Sequence, residues 1–111
     1  MTLQLVQSED FLLDLEEQFR WYVFESRLEM AEAVEVAQEF KTAVLDTLNF
    51  LLQNPEAGRK RFPQFADLQG TRSWRVNPPF SRFLIYYHLE KEQLRADRLI
   101  EGHRRETTDR G

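Results

Sequence analysis

The chain contains no cysteine, so disulfide bonds and thiolate chemistry are excluded. Its two histidines, His88 and His103, lie far apart in the sequence, and without cysteine partners they are too few for a zinc site. No apolar run approaches the roughly 20 residues that a membrane-spanning helix needs. The N-terminus has no basic stretch ahead of its apolar residues, unlike a signal peptide. These absences predict a cytoplasmic protein without a metal, a small-molecule cofactor or a membrane partner.

The length of 111 residues predicts one domain, large enough to bury a hydrophobic core without metal or disulfide cross-links. We place that domain at residues 1–105. The polar residues 106–111 are expected to form a frayed tail, because nothing in them would tie them to a core.

Charge is distributed unevenly along the chain. Up to residue 57 there are three cations and twelve carboxylates, whereas from residue 58 onward there are twelve cations and seven carboxylates. Such asymmetry is typical either of an interaction surface in one half or of an ordinary solvated surface on acidic helices. The pattern alone favours neither explanation.

Two amphipathic stripes predict two helices. Ser8 and the acids behind it are typical of a helix start, because a hydroxyl caps free N–H groups and carboxylates oppose the positive end of the dipole. The first helix is expected over residues 9–25 and the second over 28–53, where Asn54-Pro55 ends it. The stripes consist of Phe11, Leu12, Leu15, Phe19, Tyr22 and Val23 in the first helix, and Ala33, Ala37, Phe40, Val44, Leu48 and Leu51 in the second.

Four strands are expected around these helices, over residues 2–7, 71–77, 82–90 and 93–101, with 54–70 as a loop. The predicted fold class is α+β. Two antiparallel helices cover one face of a small, mainly antiparallel four-stranded sheet, whose other face is free. The core is expected to contain Phe19, Phe40, Leu48, Ile85 and one of Tyr86 and Tyr87, since adjacent strand residues point to opposite faces.

Four segments together resemble the RelE/ParE superfamily of toxins from type II toxin–antitoxin pairs, and its ParE-like branch in particular. They are "DFLLDLEEQFRWYV", "LLQNPEAGR", "TRSWRVNPPFSRFLIYYHLE" and "LRADRLIEGHRR". Their order, spacing and combined length carry the resemblance over nearly the whole chain. The resemblance implies the RelE/ParE-like fold described above.

The ParE-like resemblance implies a toxin that binds and inhibits DNA gyrase without catalysis. Its partner would be a cognate antitoxin that wraps around it in a hetero-oligomer, filling grooves and forming salt links to arginines. The residues expected to bind the target or the antitoxin are Arg59, Arg61, Arg72, Arg75, Arg82, Tyr87, Arg98 and Arg104.

The alternative is a RelE-like, ribosome-dependent mRNA endonuclease. Cleavage of RNA without a metal needs a proton-transferring group near the 2′-OH and cations around the phosphate. The candidates for such a site are Arg82, Arg98, His103 and Arg104. ParE-like sequences often carry a histidine before the terminal glycine, where this chain has Glu101, and the shortage of general bases favours the binding toxin. A plain nucleic-acid-binding module is disfavoured by the net charge of −4.

Overall fold

Two helices and five strands make up the part of the chain that the computed structural model describes, residues 3–62, 65 and 68–102. The two helices form a hairpin, and the strands form one sheet. In chain order the elements are β1 (Gln4–Gln7), α1 (Glu9–Arg20) with a π-helical turn (Trp21–Glu25), α2 (Met30–Gln53), β2 (Arg59–Lys60), β3 (Arg72–Arg75), β4 (Phe83–Glu90) and β5 (Gln93–Glu101).

Helix α1 begins as the sequence predicts. The Ser8 hydroxyl accepts the Phe11 N–H at 3.0 Å and donates to the Asp97 carbonyl at 2.9 Å. The cap residue therefore satisfies one unpaired helix N–H and also ties the helix start to β5. At the other end, the π-helical turn carries the helix to Glu25, and a short connection leads to α2.

The sheet has the strand order β1-β5-β4-β3-β2. Strand β1 pairs in parallel with β5, and all other pairs are antiparallel. A register shift between Tyr86 and Tyr87 leaves Asp97 as an extra residue in β5, because Tyr86 pairs with Arg98 and Tyr87 with Ala96. The bulge lies where the Asp97 side chain approaches His88 of β4.

The core lies between the helix hairpin and one face of the sheet. Phe40, Leu48, Ile85 and Tyr87 are completely buried, which confirms their prediction as core residues. Phe40 lies in an aromatic cluster and contacts the rings of Tyr22, Phe80 and Phe83 at centroid distances of 5.4, 5.3 and 5.0 Å.

The predicted α+β arrangement of two helices on one sheet face is confirmed, but the strand count was wrong. The additional strand is β2, within the segment 54–70 that was predicted as a loop. Two residues are too few to show a strand period in the sequence. The strand exists because it pairs with β3, Arg59 opposite Ser73 and Lys60 opposite Arg72.

Two core predictions also need correction. Phe19 is only half-buried and packs at the margin of the core, with the Lys41 ammonium 5.9 Å from its ring centroid. Tyr86 and Tyr87 are both buried, whereas only one was expected. Tyr87 faces the helices, and Tyr86 faces away from them but is covered by the stacked ring of Phe62.

Candidate functional site

The sheet face that points away from the helices, here called the open face, carries the candidate sites. Strand alternation places Leu84, Tyr86 and His88 of β4 on it, opposite the core residues of the same strand. The face was expected to be free, but the segment after β2 covers part of it. The Phe62 ring lies 6.1 Å from that of Tyr86, at an interplanar angle of 28°. Tyr86 is therefore buried, and Leu84 is buried as well.

Three arginines surround a depression of about 300 Å³ at one end of the open face. Arg59 and Arg61 flank it from the β2 side, and Arg75 flanks it from β3. Arg59 pairs with Ser73 and therefore lies on the same face of the sheet as Ser73. Arg61 is two residues from Arg59, and Arg75 is two residues from Ser73. Because residues two apart on a strand share a face, all three arginines lie on that face. We call this site the arginine depression, which is lined by Ala57, Arg59, Arg61, Ser73, Trp74, Arg75 and Leu84.

The arginine depression has the chemistry of an oxyanion-binding site. No carboxylate belongs to its described lining. The Arg61 Nε donates to the Ser73 Oγ at 2.8 Å, and the Arg75 Nη1 donates to the Ser81 carbonyl at 3.0 Å, so both side chains are oriented. Guanidinium groups bind carboxylates and phosphates through two parallel hydrogen bonds. The site can therefore bind an anionic group, but its lining offers no residue that could act as a general base.

A second cavity on the open face, of about 420 Å³, contains a histidine–aspartate pair. The His88 Nδ1 lies 2.7 Å from the Asp97 Oδ2, and the Nε2 lies 3.7 Å from a Glu90 carboxylate oxygen. Asp97 is the extra residue of the β5 bulge, so the bulge brings its carboxylate beside the histidine. Phe62, Leu68, Gln69, Thr71, Tyr86, Arg98 and Ile100 complete the lining.

The His88–Asp97 pair is a group that can transfer protons. A carboxylate bonded to one ring nitrogen fixes the orientation of an imidazole, as a general acid or base requires. Neither His88 nor Asp97 was among the predicted site residues. The β4–β5 hairpin could have indicated this pair. Its tight turn pairs Glu90 with Gln93, and this register places His88 opposite Arg95, two residues from Asp97.

Among solved structures, one chain of the chromosomal ParDE TA system from P. aeruginosa is similar over most of its length. The alignment covers 89% of this chain and 95% of that chain, with a TM-score of 0.65 and 18% sequence identity. The chain has the RelE/ParE-like fold. At this identity the likeness concerns the fold alone.

A further solved structure, the conserved hypothetical protein HP0894 from Helicobacter pylori, aligns with 87% of this chain and 91% of its own at 18% identity. The TM-score of that alignment is 0.40. No protein-family model matches the sequence, and no curated protein matches it.

Three of the predicted binding arginines lie outside the arginine depression and bind other parts of the chain, namely Arg72, Arg82 and Arg98. The Arg72 Nη1 donates to the carbonyls of Glu56 and Gly58, at 3.1 and 2.9 Å. The Arg82 Nη2 donates to the Tyr22 hydroxyl at 2.7 Å, and its Nε lies 3.2 Å from the Glu101 carboxylate. These bonds connect loops, helix and strands, so their first role is structural.

Arg98 is held by helix α1. Its Nε and Nη2 donate to the two carboxylate oxygens of Asp14 at 2.7 and 3.1 Å. The hydrogen bonds to Asp14 raise the pKa of the Arg98 guanidinium above its already high value. A role for Arg98 in binding a partner would therefore compete with this ion pair.

Tyr87 lies entirely within the core, although it was predicted as a binding residue. Its hydroxyl donates to the Pro55 carbonyl at 2.8 Å and accepts the Gly58 N–H at 3.0 Å. Burial raises the pKa of this hydroxyl, and burial likewise raises that of Tyr22 even though Arg82 opposes the effect. A direct contact between Tyr87 and a partner would require the segment around Pro55 and Gly58 to open.

His103 and Arg104, the remaining predicted site residues, lie outside the described residues, as does the predicted tail. Within residues 3–62, 65 and 68–102, no group of three histidine, aspartate or glutamate side chains could hold a metal ion. In the same part of the chain, neither helix is long and apolar enough to cross a membrane.

Proposed function

We propose that this chain is the ParE-like toxin of a type II toxin–antitoxin pair. It acts in the cytoplasm by binding and inhibiting a target such as DNA gyrase, and a cognate antitoxin neutralises it in a hetero-oligomer. The observation that carries the proposal is the arginine depression, whose described lining holds three arginines and no carboxylate, on a RelE/ParE-like fold. Such a surface favours binding to acidic groups of a target or an antitoxin.

Binding is favoured over catalysis because the candidate proton-transferring group lies away from the arginine depression. Leu84 lines the depression, and His88 lies four residues further along the same strand. The described lining of the His88 cavity contains none of Arg59, Arg61 and Arg75, and its one arginine, Arg98, is paired with Asp14. This separation supports binding over RNA cleavage, which needs the proton-transferring group and the phosphate-binding cations in one site.

The first test is expression of the chain in bacteria. We expect growth arrest that is relieved by co-expression of the antitoxin from the neighbouring gene, together with inhibition of DNA supercoiling by purified gyrase. The double variant Arg59→Gln/Arg61→Gln should lose most of the toxicity while remaining folded. Its matched control is Arg27→Gln/Lys91→Gln, which removes two charges elsewhere and should stay toxic. Equal toxicity of the two double variants would contradict a role for the arginine depression.

The second candidate function is a ribosome-dependent mRNA endonuclease, which the His88–Asp97 pair in the larger cavity favours. Primer extension on translated mRNA separates the two functions. The binding toxin leaves the message uncut, and neither His88→Ala nor His103→Ala relieves growth arrest. Cuts that disappear in either histidine variant would replace the binding function with the nuclease.

A further inference from the structure

The cavity around His88 and Asp97, here called the histidine cavity, has the size and the walls of a small-molecule site. Its volume is about 420 Å³. Sites for small ligands are clefts of roughly 300–1,000 Å³, mostly apolar, with a small number of placed polar groups. Phe62, Leu68 and Ile100 supply apolar walls here. The space is sufficient for a molecule of one or two rings.

The wall formed by Phe62 carries backbone strain. Its φ of 52° lies in the left-handed region, which a large side chain rarely adopts. In this conformation the Phe62 ring is stacked against that of Tyr86, with 6.1 Å between the ring centroids. Strain of this kind persists only where surrounding contacts hold it, and it is concentrated at binding and catalytic sites. The strained residue therefore marks the cavity as a candidate ligand site.

Tyr86 contributes a hydroxyl group that the fold does not use. The residue is 7% exposed, and its hydroxyl has no hydrogen-bond partner among the described residues. The hydroxyls of Tyr22 and Tyr87, by contrast, are bonded within the chain. No side-chain oxygen or nitrogen in the described ranges is both fully buried and unbonded. The Tyr86 hydroxyl therefore reaches open space, and the histidine cavity is the space that Tyr86 lines.

His88 presents a second unused polar atom. Its Nδ1 lies 2.7 Å from the Asp97 Oδ2, so in the neutral imidazole the proton is on Nδ1 and the Nε2 is an acceptor. The Nε2 lies 3.7 Å from the Glu90 carboxylate, which is too far for a hydrogen bond. His88 and Tyr86 are two residues apart on β4 and share the open face. They therefore place an acceptor and a donor at two separate points of one cavity.

The charges in the histidine cavity favour an uncharged ligand. Its described lining contains one carboxylate, that of Asp97, and one guanidinium, that of Arg98. Asp97 is bonded to His88, and Arg98 is bonded to both carboxylate oxygens of Asp14. A phosphate would find no unpaired cation in this lining, and an ammonium group would compete with His88 for Asp97. A neutral ligand disturbs neither pair.

We propose that the histidine cavity binds a small uncharged aromatic molecule with a hydroxyl group on one side of its ring and a carbonyl group on the other. The ligand hydroxyl donates to the His88 Nε2, and the Tyr86 hydroxyl donates to the ligand carbonyl. The ring packs against Phe62. The inference goes beyond the proposed toxin function and does not rest on it, because the histidine cavity and the arginine depression have no lining residue in common.

The experiment titrates 4-hydroxyacetophenone into the purified full chain and follows the backbone amide signals by NMR. We expect saturable shifts of amides around the cavity, such as those of Thr71 and Ile100, and none of comparable size at Arg59. Two matched compounds each lack one polar group. The first, 4-methoxyacetophenone, has no donor, and the second, 4-ethylphenol, has no carbonyl. Each should bind about fivefold more weakly, as loss of one net hydrogen bond produces.

Two substitutions assign the two hydrogen bonds. Tyr86→Phe should weaken binding of 4-hydroxyacetophenone about fivefold and leave that of 4-ethylphenol unchanged, because only the former has the carbonyl that Tyr86 binds. His88→Leu should lower the affinity for 4-hydroxyacetophenone to about that for 4-methoxyacetophenone, because the variant has no acceptor for the hydroxyl. Arg61→Gln, at the arginine depression, is the control and should bind all three compounds as the unmodified chain does.

The comparison of the three compounds uses the unmodified chain, so it does not depend on the folding of a variant. Equal affinities for the three would overturn the proposal, as would shifts located outside the histidine cavity or no binding at millimolar concentration. Adenosine monophosphate that binds in the cavity more tightly than 4-hydroxyacetophenone would overturn it in favour of a nucleotide. Growth arrest and inhibition of gyrase are separate measurements, so failure of this proposal leaves the toxin function standing.

Discussion

Arg98 and Asp14 form a two-pronged ion pair that joins the last strand of the sheet to the first helix, across 84 positions of sequence. The same Asp14 carboxylate accepts the Leu99 N–H at 2.9 Å. One aspartate therefore satisfies a guanidinium and a backbone donor of β5. Its side chain is 14% exposed, whereas that of Arg98 is 50% exposed, so the aspartate is the more shielded partner.

Asp14→Ala should destabilise the fold more than Arg98→Ala does. Removing the aspartate leaves the Leu99 N–H without its acceptor and costs about 1.5–3 kcal/mol in the free energy of unfolding. Removing the half-exposed arginine costs about 0–1 kcal/mol, because solvent screens the pair and the bond from Leu99 remains. Denaturant unfolding measures the free energy of unfolding of both variants. Glu16→Ala is the control, expected to change stability by less than about 0.5 kcal/mol. A larger loss of stability in Arg98→Ala than in Asp14→Ala would contradict this account.

The neighbouring tyrosines of β4 should respond differently to loss of the hydroxyl. Tyr87→Phe removes the partner of both the Gly58 N–H and the Pro55 carbonyl, and we expect a loss of about 1–3 kcal/mol in unfolding free energy. Tyr86 makes no hydroxyl hydrogen bond to any described residue, so Tyr86→Phe should change stability by less than about 0.5 kcal/mol. Urea titrations of the two variants test the difference, and equal midpoints would rule out the hydroxyl of Tyr87 as a link between β4 and the segment at Pro55.

Stability should fall at alkaline pH because the folded chain raises the pKa of Tyr87 and Tyr22 through burial. An unfolded tyrosine titrates near pH 10. Above that value the unfolded chain has lost protons that the folded chain still binds, so the free energy of unfolding decreases as pH rises through the folded pKa values. Below pH 10 these groups cause no change. In Tyr87→Phe the alkaline decrease should be smaller, and an unchanged slope would exclude Tyr87 as its source.

The buried ring of Phe40 should dominate the energetics of the helix–sheet contact. Phe40 is fully buried among three other aromatic rings, so Phe40→Ala should cost about 3–5 kcal/mol in unfolding free energy. Phe24, at 69% exposure, is the matched control, because the same truncation there opens no cavity. Phe24→Ala should lower the free energy of unfolding by less than about 0.5 kcal/mol. Thermal unfolding measures the midpoint temperatures of Phe40→Ala and Phe24→Ala. Equal midpoints would contradict the described core.

Both helices could be predicted from the order of residues, because a stripe of apolar residues every three or four positions can be buried on one side only in a helix. The sequence also determined where α1 begins, at the Ser8 cap, and where α2 ends, before Asn54-Pro55. The longer strands and the helix-on-sheet arrangement followed from local apolar patterning. These features depend on neighbours in the chain, whose spacing is known without a structure.

Which of the cations come together in one site depends on contacts between distant segments. In the sequence, Arg61 and Arg98 look alike, yet Arg61 borders the arginine depression and Arg98 is held by Asp14 from a distant helix. The His88–Asp97 pair likewise depends on a one-residue bulge in β5, and strand β2 on pairing with β3. Local sequence fixes the period of a strand but not its register or the partner of a long side chain. Those depend on contacts between segments far apart in the chain, and they form only when the whole domain is assembled.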